Sequence, residues 1–502
     1  CYSTGKGCCS AAAAATWQSA NEIMVPTHVL DLDAPPRSRW DAIIPAFRAP
    51  LRRVVNELYA TFTGAQHARG DPFTQALALG LRKQLEELGF SEGFDDIVAV
   101  ARLSGLPVED IALLHLAYEA VDDSAARENR ACGCTSLVST ESNGAPLLSR
   151  TLDWDIPSMR DLVVNFSVRQ GGKEIAKVAS FVGYVGALTA VRGASARGNG
   201  FAFAINYRAS IGPAGESPAA EGAGGGAGGA AVPPAWPIGM LARHALQACA
   251  SFAEAEALFR NAPLWAPCFV VLVGSAPSEH VVLSRSELAT DSAWCCSAGG
   301  VVELAESGAV DGAAIGGAAS GAPGGAGGAR LVLVQANADH ADVALSPRSA
   351  LDADATFEAK RARWMSSVTG SSDADGADAG DAEDARVEVH SAADVREAIV
   401  AESAGRVRAA RRLWALTSGD AAARLRCVLQ NALISDESTI HGSELCVAPL
   451  RLESWVHRPD PARSALRRGE GGGVTTRESG AAPRAASKSR AGQQLERRCA
   501  CS

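Results

Sequence analysis

No stretch of this sequence reaches the roughly 18 uncharged apolar residues that a membrane-spanning helix requires. The longest such runs, Cys268 to Ser275 and Leu331 to Ala338, have the length of strands, so the chain is expected to be soluble. An excess of positive charge is also missing. The 47 Lys+Arg stand against 56 Asp+Glu, a net charge of -9, and the basic residues are scattered or confined to the last stretch. That excludes the basic stripe by which proteins hold nucleic acid. The nine His are dispersed, with no His-x-x-x-His pair, and no Cys-x-x-Cys occurs, so no metal is expected. The absence of a Gly-x-Ser-x-Gly elbow argues against a serine hydrolase. Gly224-x-Gly226-x-x-Gly229 matches the dinucleotide fingerprint in spelling only, because it lies in a Gly-Ala tract with Pro233-Pro234 behind it. No cofactor is implied. Thirteen Cys, an odd number with adjacent pairs at Cys8-Cys9 and Cys295-Cys296, form no disulfide scaffold and leave the redox compartment open.

What is present alternates in type. Residues 1 to 24 read as a disordered leader, and 458 to 502 as a disordered basic tail. The chain begins with Cys rather than Met, so its true start is expected to be missing or processed. Tracts near 211–234, 305–329 and 369–386, built from Gly, Ala, Ser and Asp, look like inflated loops. From Arg37 to Glu119 apolar residues recur at helical spacing, as in Val54, Leu58 and Phe62. From Cys134 to Tyr207 the pattern becomes strand-like, with runs at 135–138, 162–168, 177–181 and 201–206 separated by Gly-rich turns. A helical hairpin over 236–260, two buried strands at 269–274 and 331–336, and a helix near 421–433 complete the ordered part. That order predicts an α+β fold with sheets covered by helices in a layered αββα sandwich.

The informative stretch is Cys132-Gly133-Cys134-Thr135-Ser136, with Arg150 sixteen residues beyond Cys134 and Asp153 three further on. A lone Cys before a strand is usually a small buried hydrophobe, and Arg-x-x-Asp alone is a common surface ion pair. A terminal Cys is different, because its α-amine and thiol have proton affinities of roughly 7.7 and 8.5. Such a residue holds base and nucleophile together. An internal Cys lacks that amine, hence a need to cut the backbone. Gly133, without a Cβ, tolerates strained dihedrals and leaves its carbonyl open to the Cys134 thiol.

These residues resemble the N-terminal-nucleophile (Ntn) hydrolases of the penicillin acylase and bile-salt hydrolase superfamily. Within it they are most similar to the acid ceramidase and N-acylethanolamine acid amidase branch. There a Cys-Thr-Ser strand is followed by a Gly-Arg-Asn-hydrophobic-Asp-aromatic segment, here Ser149-Arg150-Thr151-Leu152-Asp153-Trp154. The segment from Leu30 to Trp40 resembles the family's opening strand, and Leu114-His115-Leu116-Ala117-Tyr118-Glu119 the helix before its cleavage site. Ser180-Phe181-Val182-Gly183-Tyr184-Val185-Gly186, Asn337 after its strand, and Arg348-Ser349-Ala350 are further landmarks. The resemblance runs from about Pro26 to Trp455.

What it implies is a helical α chain (25–133) and a catalytic β chain (134–457), made by autocleavage at Gly133-Cys134 and held as an α/β heterodimer. Cys134 would be the nucleophile, Asp153 would orient its ammonium, and Arg150 would favour the thiolate and place the substrate. Asn337 would donate to the oxyanion, and Arg348 would stabilise the site electrostatically. Phe181, Tyr184 and Val185 would line an acyl groove, with Asn206 and Tyr207 at the substrate. The implied reaction is hydrolysis of an N-acyl lipid amide, a ceramide or an N-acylethanolamine, in a lysosome or another acidic compartment, with peripheral contact to anionic membrane. Two departures keep other readings open. Asn206-Tyr207-Arg208 replaces the Asn-Glu-Arg of the acid amidases, and Tyr at that position occurs in penicillin V acylase relatives, so a non-lipid amide is an alternative substrate. Cys132 competes with Cys134 as cut point, although the Cys-Thr-Ser match favours Cys134. A catalytically dead, acyl-lipid-binding relative is the alternative from another class.

Overall fold

The computed structural model describes residues 23–60, 69–119, 134–208, 234–303, 330–335 and 403–456, apart from a few positions within those ranges. The leader up to residue 22, the tracts 305–329 and 369–386, the tail, and the tract near 211–234 except for its last residue lie outside the described residues. So do Cys132, Gly133, Asn337 and Arg348.

Strands β1 (Ile23–Met24) and β2 (Thr27–Asp31) come first. Helices α1 (Arg48–Leu58), α2 (Pro72–Glu87), α3 (Ser91–Ser104) and α4 (Val108–Leu116) follow. Six strands then run in succession: β3 (Cys134–Thr140), β4 (Pro146–Asp153), β5 (Val163–Gln170), β6 (Lys173–Phe181), β7 (Thr189–Arg192) and β8 (Phe201–Tyr207). Helices α5 (Ile238–Ala248) and α6 (Phe252–Asn261) lead into β9 (Cys268–Val273) and β10 (His280–Arg285). Next are β11 (Thr290–Ser297), β12 (Gly300–Glu303) and β13 (Arg330–Gln335). Helical residues 405–415, α7 (Ala421–Leu429), β14 (Thr439–Cys446) and β15 (Arg451–Val456) are the last described elements.

The strands form two sheets. One has the order β1-β15-β14-β4-β3-β13, the other β12-β11-β10-β9-β8-β7-β6-β5-β2. Neighbours are antiparallel except β2 and β5, which pair in parallel. Between the sheets, Val138, Leu148 and Leu445 of the first meet Val191, Ala202, Ala204, Phe269 and Val271 of the second. Period-two alternation sends the intervening residues to the outer faces. There Leu137, Leu147 and Cys446 pack under Val407, Trp414, Leu425 and Val428 of the C-terminal helices. Phe201, Phe203, Ile205, Val270 and Leu272 pack with Leu241, Phe259 and Leu114 on the far side. Helix, sheet, sheet, helix is therefore the layer order. Each large side chain buried in these layers contributes roughly 1.5–3 kcal/mol.

Local chemistry explains the boundaries. In α1 the buried residues Leu51, Val54, Val55 and Leu58 fall on one helical face. Asp71 caps α2 by accepting from Thr74 N at 2.8 Å, with Pro72 in the first turn, where no N–H is needed. Gly105, at φ 71°, ends α3 in the left-handed conformation. Gly171 and Gly172, both at positive φ, make the two-residue turn between β5 and β6 that their spelling predicts.

The expectations need four corrections. Ile23 and Met24, assigned to the leader, pair with Val456 and Trp455. The opening strand ends at Asp31, and Pro35-Pro36 turn the chain into a helical turn, Pro36–Arg39. The strand expected at 177–181 begins at Lys173. The residues of β10, β11, β12, β14 and β15 were not expected as strands, since each run is short or mixes polar residues in.

Residues before and after position 133 interlock. Asp96, fully buried on α3, accepts from Arg39 Nη1 at 2.9 Å, from Arg243 Nη2 at 3.0 Å and from Trp40 Nε1 at 2.9 Å. His115 on α4 accepts from Val185 N at 2.7 Å through Nε2 and bonds Ile111 O through Nδ1, which fixes a neutral tautomer. Burial above all pushes this imidazole down to about 4. Glu119 Oε1 accepts from Ile238 N, at the start of α5, at 2.8 Å.

Burial pushes the Glu119 carboxyl up to about 7 against the favourable backbone hydrogen bonds, and Tyr184 and Cys268 face it. A carboxyl that holds its proton more tightly in the folded chain stabilises the fold below its ordinary value near 4.5. That contribution is lost as pH rises through about 7. Glu119→Gln is expected to flatten the fall in thermal midpoint between pH 4.5 and pH 7, read by parallel melts of variant and wild type. A fall of unchanged slope would refute this assignment.

Candidate active site

Cys134 opens β3, and β4 lies beside it with Leu152 opposite Cys134 and Arg150 opposite Ser136. Strand alternation places Cys134, Ser136, Arg150 and Leu152 on the face between the sheets, in line with Val138 and Leu148. Arg150 Nη2 donates to Cys134 Sγ at 2.8 Å. Its Nη1 reaches the opposite sheet, donating to Thr189 Oγ1 at 2.8 Å and Leu188 O at 3.2 Å, and its Nε donates to Thr151 O at 3.3 Å. The guanidinium is fully buried and Cys134 is 1% exposed. Donation from a charged group favours the thiolate over the thiol.

Asp153, the acidic member of the expected set, lies on the opposite face of β4, toward the C-terminal helices. Its Oδ1 accepts from Thr439 Oγ1 at 2.7 Å, and its Oδ2 forms a salt bridge with Arg406 Nη1. Arg406 also donates to Thr135 Oγ1 at 3.4 Å. A register shift between Thr439 and His441 breaks the regular pairing of β14 with β4 and sets Thr439 opposite Asp153. Arg150 and Asp153 thus lie on opposite faces of one sheet, Arg150 bonded to Cys134 and Asp153 linked to Thr135 through Arg406.

Arg406 and Thr439 were missed by sequence reasoning. Arg406 stands in the arginine-rich helical residues 405–415, where one cation cannot be told from its neighbours by spelling. Its burial, 5% exposed, is what sets it apart. His441 is a core residue: 1% exposed, its Nδ1 3.2 Å from Ser443 Oγ, its ring edge-on to Phe181. Burial, helped by the charge of Arg150, pushes it down to about 3, so it stays neutral beside the guanidinium in ordinary acid.

The residues expected at the substrate divide. Asn206 faces the inter-sheet layer, where its Oδ1 accepts from Ser136 Oγ at 2.8 Å and its Nδ2 donates to Gln335 O at 3.2 Å. Tyr207, one residue on, points to the other face, edge-on to Tyr118. Phe181 packs edge-on to Trp154 and to His441, next to the Arg150 side of the site. Tyr184 stacks on His115 in the helix layer, and Val185 bonds His115 and Arg243 there. Asn337 and Arg348 lie outside the described residues. Among the described residues no group of three His, Cys, Asp or Glu could hold a metal ion, and no helix is long and apolar enough to cross a membrane.

The chain is a mixed helix and sheet α+β sandwich, an arrangement like that of the Ntn hydrolases, with a buried, guanidinium-bonded cysteine at the head of an interior strand. Comparison with known proteins agrees. A family model described as the beta subunit of N-acylethanolamine-hydrolyzing acid amidase matches residues 23–69. Acid ceramidase of Mus musculus is 25% identical over 289 residues, 52% of this chain and 64% of that protein. Acid ceramidase of Homo sapiens is 25% identical over 288 residues, 52% and 63% of the two chains. The matched region thus spans less than two thirds of these relatives' length. A solved N-acylethanolamine-hydrolyzing acid amidase ortholog from Caenorhabditis elegans is 16% identical and covers 65% of this chain and 100% of its own, with a TM-score of 0.37, too loose a likeness to argue from. The chain is thus similar to the acid ceramidases over about half its length and, over residues 23–69, to the beta subunit of an amide-hydrolysing enzyme, N-acylethanolamine-hydrolyzing acid amidase.

Removing one partner of a buried ion pair costs about 3–5 kcal/mol, because the other charge stays behind unpaired. Arg406→Met should therefore lower stability to urea by about that amount. Combining it with Asp153→Asn should cost clearly less than the two single changes added, since both charges then go. Simple additivity in that double-mutant cycle would contradict the pairing.

Proposed function

We propose that this chain is an autoproteolytically activated cysteine amidase acting on the amide of an N-acyl lipid, a ceramide or an N-acylethanolamine. The observation that carries the reading is the 2.8 Å contact from Arg150 Nη2 to Cys134 Sγ at the head of β3. Resemblance to the acid ceramidases supports the lipid class.

In the maturation step Cys134 Sγ attacks the Gly133 carbonyl carbon. The carbon–nitrogen bond breaks as the new carbon–sulfur bond forms, and the nitrogen takes up a proton to become the Cys134 amine. Water then hydrolyses the thioester, leaving a Gly133 carboxylate and a free thiol. In turnover the amine accepts the thiol proton, and sulfur attacks the substrate amide. The ammonium returns its proton to the departing amine, and a second water releases the fatty acid from the thioester. Arg150 holds the sulfur and offers its charge to the thiolate. Asp153, kept in place by Arg406 and Thr439, would orient the ammonium. Asn337 would serve the oxyanion and Arg348 the local field.

The two fragments would remain an α/β heterodimer, since Asp96 with Arg39 binds Arg243 across the cut and β2 stays paired to β5. An acidic compartment suits the lipid reading, and peripheral contact with anionic membrane would bring the substrate. A second reading, an acylase for a non-lipid amide, rests on Tyr207 in place of the acid amidases' Glu.

Acidic incubation should convert the 51.7 kDa chain into fragments of about 14 and 38 kDa, the larger beginning at Cys134 by amino-terminal sequencing. Cys134→Ser should abolish fatty-acid release from ceramide and N-acylethanolamine. An uncut, inactive wild type would point instead to a lipid-binding relative, and release from penicillin V alone to the non-lipid acylase. For the heterodimer, Asp96→Asn should let the cut fragments separate on gel filtration at a urea concentration that leaves the wild-type pair together. Equal retention would show that other contacts hold them.

A further inference from the structure

The layer between the sheets is apolar at Val138, Leu148, Val191, Ala202, Ala204 and Phe269, yet polar bridges cross it near Cys134. Arg150 bonding Thr189 is one. The other is Asn206, fully buried on β8, and it is spent on both sides. Its Oδ1 accepts from Ser136 Oγ at 2.8 Å, and its Nδ2 donates to Gln335 O at 3.2 Å. The carbonyl of Gln335 fixes the orientation of the amide, since it can only accept, and the Ser136 hydroxyl is then left to donate to Oδ1. Ser136 and Gln335 are themselves paired across β3 and β13. One side chain of the second sheet therefore pins two adjacent strands of the first, two residues from the nucleophile and opposite Arg150.

Strand β13 needs that second fixture. Among the described residues it is the last strand of its sheet, paired there with β3, and its register shifts between Leu331 and Leu333. An edge strand with broken register slips easily unless something off the sheet holds it.

We infer that Asn206 is a positioning residue for the proposed amidase: it locks the ends of β3 and β13 against the opposite sheet and so sets the place of the Cys134 sulfur. This reassigns it from the substrate contact that the resemblance implies, and the inference rests on the function proposed above. A contact with substrate would show in KM. A strut that places the attacking atom shows in kcat, because misplacement by a fraction of an ångström raises the barrier without weakening binding.

Three measurements test it. In Asn206→Ala, kcat for the N-acyl amide that wild type hydrolyses should fall at least about tenfold with KM within about twofold, the loss of one buried hydrogen-bond network. Asn206→Asp keeps the acceptor for Ser136 but, when ionised, loses the donor to Gln335. A buried carboxyl is protonated readily, and the protonated form donates again. The ratio of its kcat to the wild-type value should therefore climb as pH falls from 7 to 4, a signature that general loosening would not give. Amide hydrogen exchange over 330–335 should quicken in Asn206→Ala at temperatures well below its melt.

A raised KM with unchanged kcat would return Asn206 to the substrate. Unchanged constants in both variants, or a flat pH ratio in Asn206→Asp, would also overturn the assignment. Should Asn206→Ala fail to fold, the Asp variant decides. Wild-type protein that neither cuts itself nor hydrolyses an N-acyl amide would sink the proposed function instead. The exchange measurement would then judge the strut alone, unchanged rates overturning it.

Discussion

A guanidinium with no exposed surface lies between two sheets of mostly apolar side chains, and the site is arranged around satisfying it. Leaving such an ion unpaired would cost several kcal/mol. Arg150 avoids this by spending its donors on both sheets and on sulfur: Thr151 O on its own strand, Leu188 O and Thr189 Oγ1 opposite, and Cys134 Sγ beside it. Each partner fixes a different degree of freedom. The backbone carbonyls fix the plane of the guanidinium, the hydroxyl fixes its reach, and the sulfur is what remains for the second amino group. His441 can share this layer because burial keeps its ring neutral, so it adds no second positive charge.

Pleating then divides the work. On β3 and β4 the even-numbered residues Cys134, Ser136 and Arg150 face the second sheet, while the odd-numbered Thr135 and Asp153 face the C-terminal helices. One buried arginine serves each face, Arg150 between the sheets and Arg406 under the helices. A register slip of a single residue would exchange the two sets and put the carboxylate where the sulfur belongs. The apolar neighbours guard against that slip, because Leu137 and Val138 are built into different cores. Packing on both sides of the sheet therefore specifies the chemistry as much as the polar contacts do.

This division also explains what could be read from spelling. The helices α1 to α4 follow from apolar spacing, and β8 and β9 from uninterrupted apolar runs, because in these elements burial and hydrophobicity coincide. They part company at the site. Strand β4 carries Ser149, Arg150, Thr151 and Asp153, and β14 carries His441, Ser443 and Glu444, all of them buried. Hydrophobic pattern alone would place such residues in water, and for Arg150 and Asp153 it is partners in other elements that make burial tolerable. Cys134, Arg150 and Asp153 were legible through local spacing and resemblance. Arg406, 253 residues from Asp153, was not, since nothing near it in sequence marks its partner. Asn206 and Tyr207 were legible as a pair but not in direction, because period-two alternation sends adjacent residues to opposite layers.

Burial also bears on the order of events in the proposed reaction. An external amide must bring its carbonyl carbon to roughly 3–3.5 Å from sulfur before attack, and Cys134 in this chain is 1% exposed. The carbonyl of Gly133 needs no such access, because connectivity alone keeps it within a few bonds of the thiol. The enclosure that disfavours an outside substrate therefore leaves the preceding peptide as the competitive target, and breaking that peptide creates the amine. On this view a buried nucleophile in the uncut chain is consistent with an amidase, since the same closure that withholds turnover directs the first attack onto the backbone.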